Sequence, residues 1–162
     1  MLPLYKKILV TTDFTPNSDH AFKHAVMLAR QNDAKIHLLH VLPQVDSSMR
    51  SYLSSVLGES RLEEFEHSNM EKAKVELTKN LDEFAKKELK NFPEDYARFA
   101  GADVVTGHPV VKILETADRL DVDVIVMGTH GKGPLEHVFL GSVAEKVLKK
   151  SPRPVFVIPL PN

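Results

Sequence analysis

A run of glycines and hydroxyl residues between positions 128 and 142 is the part of the sequence with the clearest potential for chemistry. It reads Gly128-Thr129-His130-Gly131 and, after nine further residues, Gly141-Ser142. Glycine lets the backbone turn sharply and lets a ligand approach closely, and the free N–H groups at the start of a helix favour an anion. These residue types therefore predict a binding site for phosphate.

Ser142 is open to two interpretations. Together with Glu145 it matches a capping box, in which the serine hydroxyl and the glutamate carboxylate satisfy the first N–H groups of a helix. The same hydroxyl can accept from the backbone and still donate its proton to a phosphate oxygen. A purely structural turn between a strand and a helix would also need glycines. The residues by themselves leave both functions of this stretch open.

Two pairs of histidines have spacings that bear on metal binding. His20 and His24 lie one helical turn apart, which suits a metal ion, but no third ligand is evident and a solvated helix face is favoured. His37 and His40 should lie on opposite faces of a strand, where they cannot share one ion. The chain has no cysteine, which removes thiolate ligands, disulfides and a cysteine nucleophile. We predict no metal site.

The common catalytic motifs that are built on a glycine turn are missing from the sequence. There is no G-x4-G-K-[ST], no G-x-G-x-x-G after a strand and no G-x-S-x-G, which argues against a P-loop, a standard dinucleotide site and a hydrolase elbow. Glu136 and His137 lie inside the glycine-flanked stretch, but nothing in the sequence aims either of them at a water molecule. No catalytic residue is therefore assigned.

Apolar runs alternate with helical patterns along the chain, which is typical of βαβ units and a parallel sheet. Strands are predicted over residues 8–12, 35–42, within 97–106, 122–127 and 154–158. Helices are predicted over residues 16–32, 62–91, 109–120 and 142–150. Thr15-Pro16 marks the first helix start, because threonine caps a helix and proline suits its first turn. Residues 43–60 are less regular and form either a mobile insertion or a short amphipathic helix.

Composition and charge limit the classes of protein to consider. The chain has 162 residues, which fits one domain over residues 1–162 that hides roughly 70% of its unfolded surface. Its formal net charge of −1 favours neither nucleic acid nor an anionic membrane as a partner. No apolar run approaches the ~20 residues of a membrane span, and the N-terminus lacks the pattern of a signal peptide. We expect a cytoplasmic protein.

The spacing G-x2-G-x9-G-[ST] resembles the ATP-binding signature of the universal stress protein family. Residues 6–10 with Asp13 look like the first strand of that family and its acidic residue. Residues 141–147 and 151–159 are similar to its closing helix and strand. Both ends of the chain therefore share the resemblance, and only residues 43–95 depart from the family pattern.

The resemblance implies an α/β fold with a doubly wound, five-stranded parallel sheet in the order 3-2-1-4-5. This is the Rossmann-like arrangement of the adenine nucleotide alpha hydrolase-like proteins. The ends of strands one and four then lie side by side at a topological switch point, where open α/β sheets bind ligands. Asp13 would face the glycine stretch there, although an aspartate in this place can also simply end a strand and start a turn.

A set of nucleotide-binding residues is also implied by the resemblance. Asp13 and the backbone of Val41 would hold the adenine or the ribose, and the residues around Gly141 would surround the triphosphate. Thr11 departs from the small residue or proline that many nucleotide-binding members carry, but a threonine is too small to exclude adenine. The complete set is Thr11, Thr12, Asp13, Val41, Met127, Gly128, Thr129, His130, Gly131, Gly141, Ser142 and Val143.

Three functions are compatible with this picture. In the first, ATP, bound together with Mg²⁺, orders residues 129–140 and alters a partner surface, which makes the protein a nucleotide-dependent regulatory module of the stress response. In the second, the protein is a slow ATPase that works by positioning alone. In the third, it is a dimeric scaffold that needs no nucleotide. The resemblance implies a homodimer through the last strand, residues 155–158, and an unidentified protein partner.

Overall fold

The computed structural model describes residues 1–43, 47–129 and 140–160. The prediction for residues 43–60 therefore lies outside the described residues at positions 44–46. In chain order the elements are β1 (Lys7–Thr11), α1 (Pro16–Asn32), β2 (Lys35–Leu42), α2 (Ser47–Leu57), α3 (Glu59–Leu89), α4 (Pro93–Arg98), β3 (Phe99–Thr106), α5 (Pro109–Arg119), β4 (Val124–Gly128), α6 (Ser142–Lys150) and β5 (Val155–Ile158).

The five strands form one parallel sheet in the order β3-β2-β1-β4-β5, which confirms the predicted fold class. Val10 of β1 pairs with Leu38 on one side and with Val126 on the other. From β1 the chain moves outward to β2 and β3, and it then returns to the other side of β1 as β4. The carboxyl ends of β1 and β4 are therefore neighbours whose connections leave in opposite directions, which opens a crevice between them.

The central strands β1 and β4 are apolar over most of their length because helices cover both faces of the sheet. Ile8 and Val10 pack into a cluster with α1 and the end of α3. Leu9, between them, points to the other face and packs with residues of α5 and α6. Successive side chains of a strand point to opposite faces, so a single strand such as β1 contributes to both cores.

The start of α1 follows the sequence-based expectation. Thr15 is the N-cap, its hydroxyl accepts a hydrogen bond from the backbone N–H of Ser18, and Pro16 occupies the first turn. The helix ends at Asp33 in the left-handed conformation, with φ of 48°. Asp33 tolerates this backbone because a short polar side chain relieves part of the left-handed strain.

The predicted capping box at the start of α6 is wrong. The cap position is held by Gly141 rather than Ser142, and the first helical bond runs from the Glu145 N–H to the Gly141 carbonyl at 2.9 Å. Ser142 therefore stands one residue too far into the helix to cap it. The Glu145 carboxylate instead accepts from the Lys149 ammonium at 2.8 Å, an i, i+4 pair on the exposed face.

The middle of the chain is helical. Of the two alternatives for residues 43–60, the structure has a short helix, α2, and none of its side chains is buried. The long helix α3 buries Leu81, Ala85 and Leu89 near its end, and Leu62 near its start.

Within residues 1–43, 47–129 and 140–160, no helix is both long enough and apolar enough to cross a membrane.

Candidate functional site

A cavity of about 570 Å³ opens at the carboxyl edge of the sheet. Its walls come from the ends of β1, β2 and β4 and from the first turns of α5 and α6. The lining residues are Thr11, Thr12, Asp13, Ser18, Leu39, His40, Val41, Leu42, Pro43, Pro109, Ile113, Met127, Gly128, Thr129, Gly141, Ser142, Val143 and Ala144. The cavity therefore lies at the crevice that the strand order creates between β1 and β4.

The structure brings ten of the predicted site residues together around this cavity. They are Thr11, Thr12, Asp13, Val41, Met127, Gly128, Thr129, Gly141, Ser142 and Val143. The other two, His130 and Gly131, lie outside the described residues. Residues that are far apart in the chain meet here because the carboxyl ends of parallel strands share one edge of the sheet.

The turn between β1 and α1 is held by its own side chains. One oxygen of Asp13, Oδ1, accepts from the backbone N–H of Thr15 at 3.1 Å and from the Thr15 hydroxyl. The Thr12 hydroxyl accepts from the N–H of Phe14 at 3.1 Å, and Phe14 has a left-handed backbone with φ of 64°. Asp13 thus has the turn-forming role that the sequence left open. Within the described part of the chain, no hydrogen bond engages its second oxygen, Oδ2.

Two parts of the cavity wall differ in electrostatic character. Asp13 places a carboxylate just after β1, and Asp19 lies close behind it. Partial burial and the nearby Glu88 raise the pKa of Asp19, with a smaller contribution in the same direction from Asp13, while Lys23 opposes them. This part of the wall therefore favours hydrogen-bond donors over further negative charge.

A second part of the cavity wall is the N-terminus of α6. Intrahelical bonding begins with Glu145, so the N–H groups of residues 142–144 have no carbonyl partner within the helix. All three residues line the cavity, and the Ser142 side chain is exposed. These N–H groups, together with the helix dipole, favour an anion there.

His40 is a cavity residue that the sequence analysis considered only as a metal ligand. Its Nδ1 lies 2.8 Å from the Thr12 carbonyl oxygen. Because a carbonyl only accepts, Nδ1 must carry the hydrogen. The ring also packs against Phe14, with 4.8 Å between ring centroids. The spacing of His40 within its strand was visible in the sequence, but its partners Thr12 and Phe14 were not.

Among the described residues, the other histidines do not line the cavity. His37 points to the opposite face of β2, where its Nε2 is 2.9 Å from a carboxylate oxygen of Asp103. Arg119 donates to the same oxygen. Burial alone would raise the pKa of Asp103, but the hydrogen bonds from Arg119 and His37 outweigh it and lower this pKa. The described residues contain no group of three side chains suited to a metal ion.

Asn17 is a second residue that the sequence did not single out. It is 2% exposed and lies directly behind the cavity wall. Its Nδ2 donates to the Ile158 carbonyl at 3.0 Å, and its Oδ1 accepts from the Thr129 hydroxyl at 3.2 Å. A polar residue in the first turn of a helix is usually exposed, so its position in the sequence does not indicate that it will be buried against residues from the far end of the chain.

Comparison with known proteins places the chain among relatives of one kind. The model of the universal stress protein family matches residues 4–159. Universal stress protein MJ0577 of Methanocaldococcus jannaschii is 38% identical over an alignment that covers 100% of this chain and 99% of the relative.

Solved structures agree with this comparison. A structure of protein MJ0577, described as a structure-based assignment of biochemical function, superimposes with a TM-score of 0.76 at 36% identity, covering 98% of this chain and 99% of the other. A universal stress protein crystallised in complex with cAMP shares the fold, with a TM-score of 0.54 at 20% identity over 96% of this chain and 97% of the other. From the family match and the full-length similarity together, the chain belongs to the universal stress protein family.

Proposed function

We propose that the cavity binds ATP and that the protein is a nucleotide-dependent regulatory module with at most slow hydrolysis. The observation that carries this proposal is the mixed lining of the cavity, which combines the Asp13 carboxylate with the anion-binding start of α6. A nucleotide has the matching groups, with amino and hydroxyl donors at one end and phosphates at the other. The volume of about 570 Å³ falls in the range of about 300–1,000 Å³ that is usual for small-molecule sites.

Asp13 and its neighbours would hold the nucleoside. Its Oδ2 is an acceptor for the ribose hydroxyls or for the adenine amino group, while Oδ1 keeps the turn in place. The backbone of Val41 offers further hydrogen-bonding groups, and Met127, which is buried in the wall, offers an apolar surface. Stacking and apolar contact with such side chains suit a purine base.

The N-terminus of α6 would hold the phosphates. The N–H groups of residues 142–144 and the exposed Ser142 hydroxyl can all donate to phosphate oxygens. We propose that Mg²⁺ accompanies the nucleotide, because this ion binds mainly through phosphate oxygens and water and needs few protein ligands. His130 and Gly131 belong to the same proposed set.

The cavity wall supports binding better than catalysis. Among its described residues, Asp13 and His40 are the titratable ones, and each is already engaged with the turn between β1 and α1. A general base for hydrolysis must reach the attacking water. The start of α6, where the phosphates would lie, contributes no titratable side chain to the described wall, so we infer at most slow turnover through positioning.

The assembly and setting of the protein are part of the same proposal. We propose a single domain over residues 1–162 that acts in the cytoplasm, where ATP is available. We also propose a homodimer through β5, which is the last strand of the sheet order and whose residues are all only half-buried. An apolar edge strand of this kind invites pairing with another strand.

The proposal is tested by asking what the purified protein carries and what it binds. The protein is denatured, any released small molecule is identified by mass, and the emptied protein is titrated with ATP, ADP, AMP, cAMP and GTP in magnesium buffer. We expect adenine-selective binding that Asp13→Ala weakens. Asp118→Ala is the matched control, because Asp118 is an exposed aspartate on α5 outside the cavity.

The opposite result would favour another function. If no nucleotide is released and none binds at millimolar concentration, ATP binding at this cavity is excluded and the nucleotide-independent dimeric scaffold becomes the better account. If ATP binds and is hydrolysed at a useful rate, the slow ATPase replaces the regulatory module.

A further inference from the structure

Asn17 joins three parts of the fold behind the proposed nucleotide site. It lies in the first turn of α1, its Nδ2 reaches the last residue of β5, and its Oδ1 receives the hydroxyl of the residue that follows β4. Both ends of the carboxamide are therefore used. A buried amide whose donor and acceptor are both satisfied has one well-defined orientation, because any other would leave a polar group unpaired.

Thr129 is the link between Asn17 and the cavity. Its N–H donates to the Ile158 carbonyl at 3.1 Å, and its own carbonyl accepts from the N–H of Gly141 at 2.7 Å. Its hydroxyl donates to Asn17. Thr129 and Gly141 both line the cavity, whereas Asn17 does not. A displacement of this part of the wall would therefore act on the Ile158 carbonyl both directly and through Asn17.

We propose that Asn17 is a positioning residue that couples ligand binding at the cavity to the carboxyl end of the edge strand β5. This inference rests on the proposed function, because it needs a ligand that contacts the wall at Thr129 and Gly141. The ligand would favour one position of Thr129, and the Asn17 carboxamide would hold Ile158 in the matching position. The bound nucleotide would thereby alter the strand edge that is available to a second molecule.

The coupling depends on a difference in ATP affinity between two states of the β5 end. A ligand shifts a second site only when its affinity differs between the two states of that site. Here the two states are a β5 end that is held by the Asn17 and Thr129 hydrogen bonds and one in which these bonds open. ATP should bind the held state more tightly and so suppress opening.

Hydrogen exchange of the intact protein measures this opening. Peptides that cover residues 155–160 are followed with and without ATP and Mg²⁺, in the wild type and in Asn17→Ala. In the wild type we expect ATP to slow exchange there by about fivefold or more, the lower end of usual coupling strengths. In Asn17→Ala we expect ATP still to bind, with most of this slowing lost.

The matched control is Asn32→Ala. Asn32 lies at the other end of α1, where its Nδ2 donates to the Leu28 carbonyl at 2.9 Å, so the variant removes the same side-chain group from the same helix. We expect its response to ATP in residues 155–160 to equal that of the wild type. A general loosening of α1 would reduce the response in both variants and would contradict the proposal.

A second variant covers the case in which Asn17→Ala does not fold. Thr129→Val has nearly the same shape as the wild type but lacks the hydroxyl that donates to Asn17. We expect Thr129→Val to lose part of the ATP-dependent slowing of exchange, beyond what any change in its affinity for ATP accounts for. We expect Thr129→Ser to restore that slowing. A side chain that only fills space would not distinguish serine from valine in this way.

The outcomes separate the coupling from the function on which it rests. If the wild type binds no nucleotide, both are overturned. If ATP binds and the response of residues 155–160 is the same in Asn17→Ala as in the wild type, the coupling is overturned and the proposed function stands. If ATP binds and the wild type shows no response in these residues, the coupling is likewise overturned.

Discussion

The side chain of Asn17 fills the space that any side chain at position 128 would need. A Cβ atom built on Gly128 would lie 2.7 Å from both Cγ and Oδ1 of Asn17, which is far inside normal contact distance. The two residues are 111 positions apart by number, 128 minus 17, and belong to different elements. Gly128 is thus required by packing against a buried carboxamide.

This contact predicts the effect of adding one methyl group. Gly128→Ala should lower the free energy of unfolding by about 1–3 kcal/mol, the usual cost of overpacking. Urea denaturation of the variant measures this loss. The double variant Asn17→Ala with Gly128→Ala should lose less than the sum of the two single variants, because removal of the carboxamide makes room for the methyl group. Additive losses would show that the two side chains do not compete for space.

Asp13 should affect nucleotide affinity through the oxygen that the turn does not use. Asp13→Asn keeps an acceptor for the Thr15 N–H, so the turn should persist, but it replaces the other acceptor with an NH₂ group. Hydrogen bonds to charged groups contribute about 1.5–3 kcal/mol, so ATP affinity should fall about tenfold or more. Titration calorimetry measures the affinity, and the thermal midpoint checks the fold. Unchanged affinity would remove Asp13 from the nucleotide site.

Asp95 should make stability depend on pH in a definite direction. The Arg30 side chain forms hydrogen bonds with this buried carboxylate, and these bonds lower the pKa of Asp95, with burial opposing and Arg98 assisting. Because the pKa of Asp95 is lowered in the folded protein, its ionised form stabilises the fold at pH values above the unfolded-state pKa of about 3.9. This stabilisation is lost as the pH falls through the lower, folded-state pKa.

Asp95→Asn tests this pH dependence. At pH 7 the free energy of unfolding of the variant should be about 1–3 kcal/mol lower than that of the wild type, because a neutral amide is a weaker partner for Arg30 and Arg98 than a carboxylate. The gap from the wild type should shrink as the pH is lowered below about 3.9. Denaturant unfolding between neutral pH and acid pH gives both values. Asp118→Asn, which alters a long and exposed pair with Arg153, is the control and should show no such trend. A constant gap would contradict the ion-pair explanation.

The proposed dimer can be tested at a backbone group of β5. The Pro154 carbonyl accepts from Ile125 of β4, and the Ile158 carbonyl accepts from Thr129, which follows β4. Bonding in a parallel ladder alternates along the strand, so the N–H of Val157 points away from β4. Val157→Pro removes that N–H without breaking a bond to β4 and should convert a β5-paired dimer to a monomer. Sedimentation equilibrium measures the mass, and Val157→Thr, which keeps the N–H, should remain dimeric. A wild-type monomer, or a dimeric Val157→Pro, would exclude pairing through β5.

Much of the fold followed from local patterns in the sequence. The alternation of β-branched runs and helical stripes predicted the five strands, since a strand that is covered on both faces must be apolar throughout. The start of α1 followed from Thr15 and Pro16, whose effects on the backbone are local. Strand boundaries shifted only slightly, with β4 at Val124–Gly128 in place of residues 122–127. The strand order came from the family resemblance, and the structure confirms it.

Local patterns were less successful where two choices had similar energy. The capping box at Ser142 fitted the sequence rule, yet Gly141 holds the cap position, because a glycine can also take the extended backbone of an N-cap. The short helix α4 was not predicted, because six residues are too few to show a helical stripe.

The sequence by itself determined the order of elements, the apolar core and the glycine-rich stretch, because each of these depends on residue type and spacing along the chain. Only the tertiary structure decided which polar residues surround and support the cavity. Asn17 meets Ile158 across 141 positions, and His40 meets Thr12 across 28. Such pairs form because a buried polar group must find a partner in the folded state, and the identity of that partner depends on how the strands and helices pack.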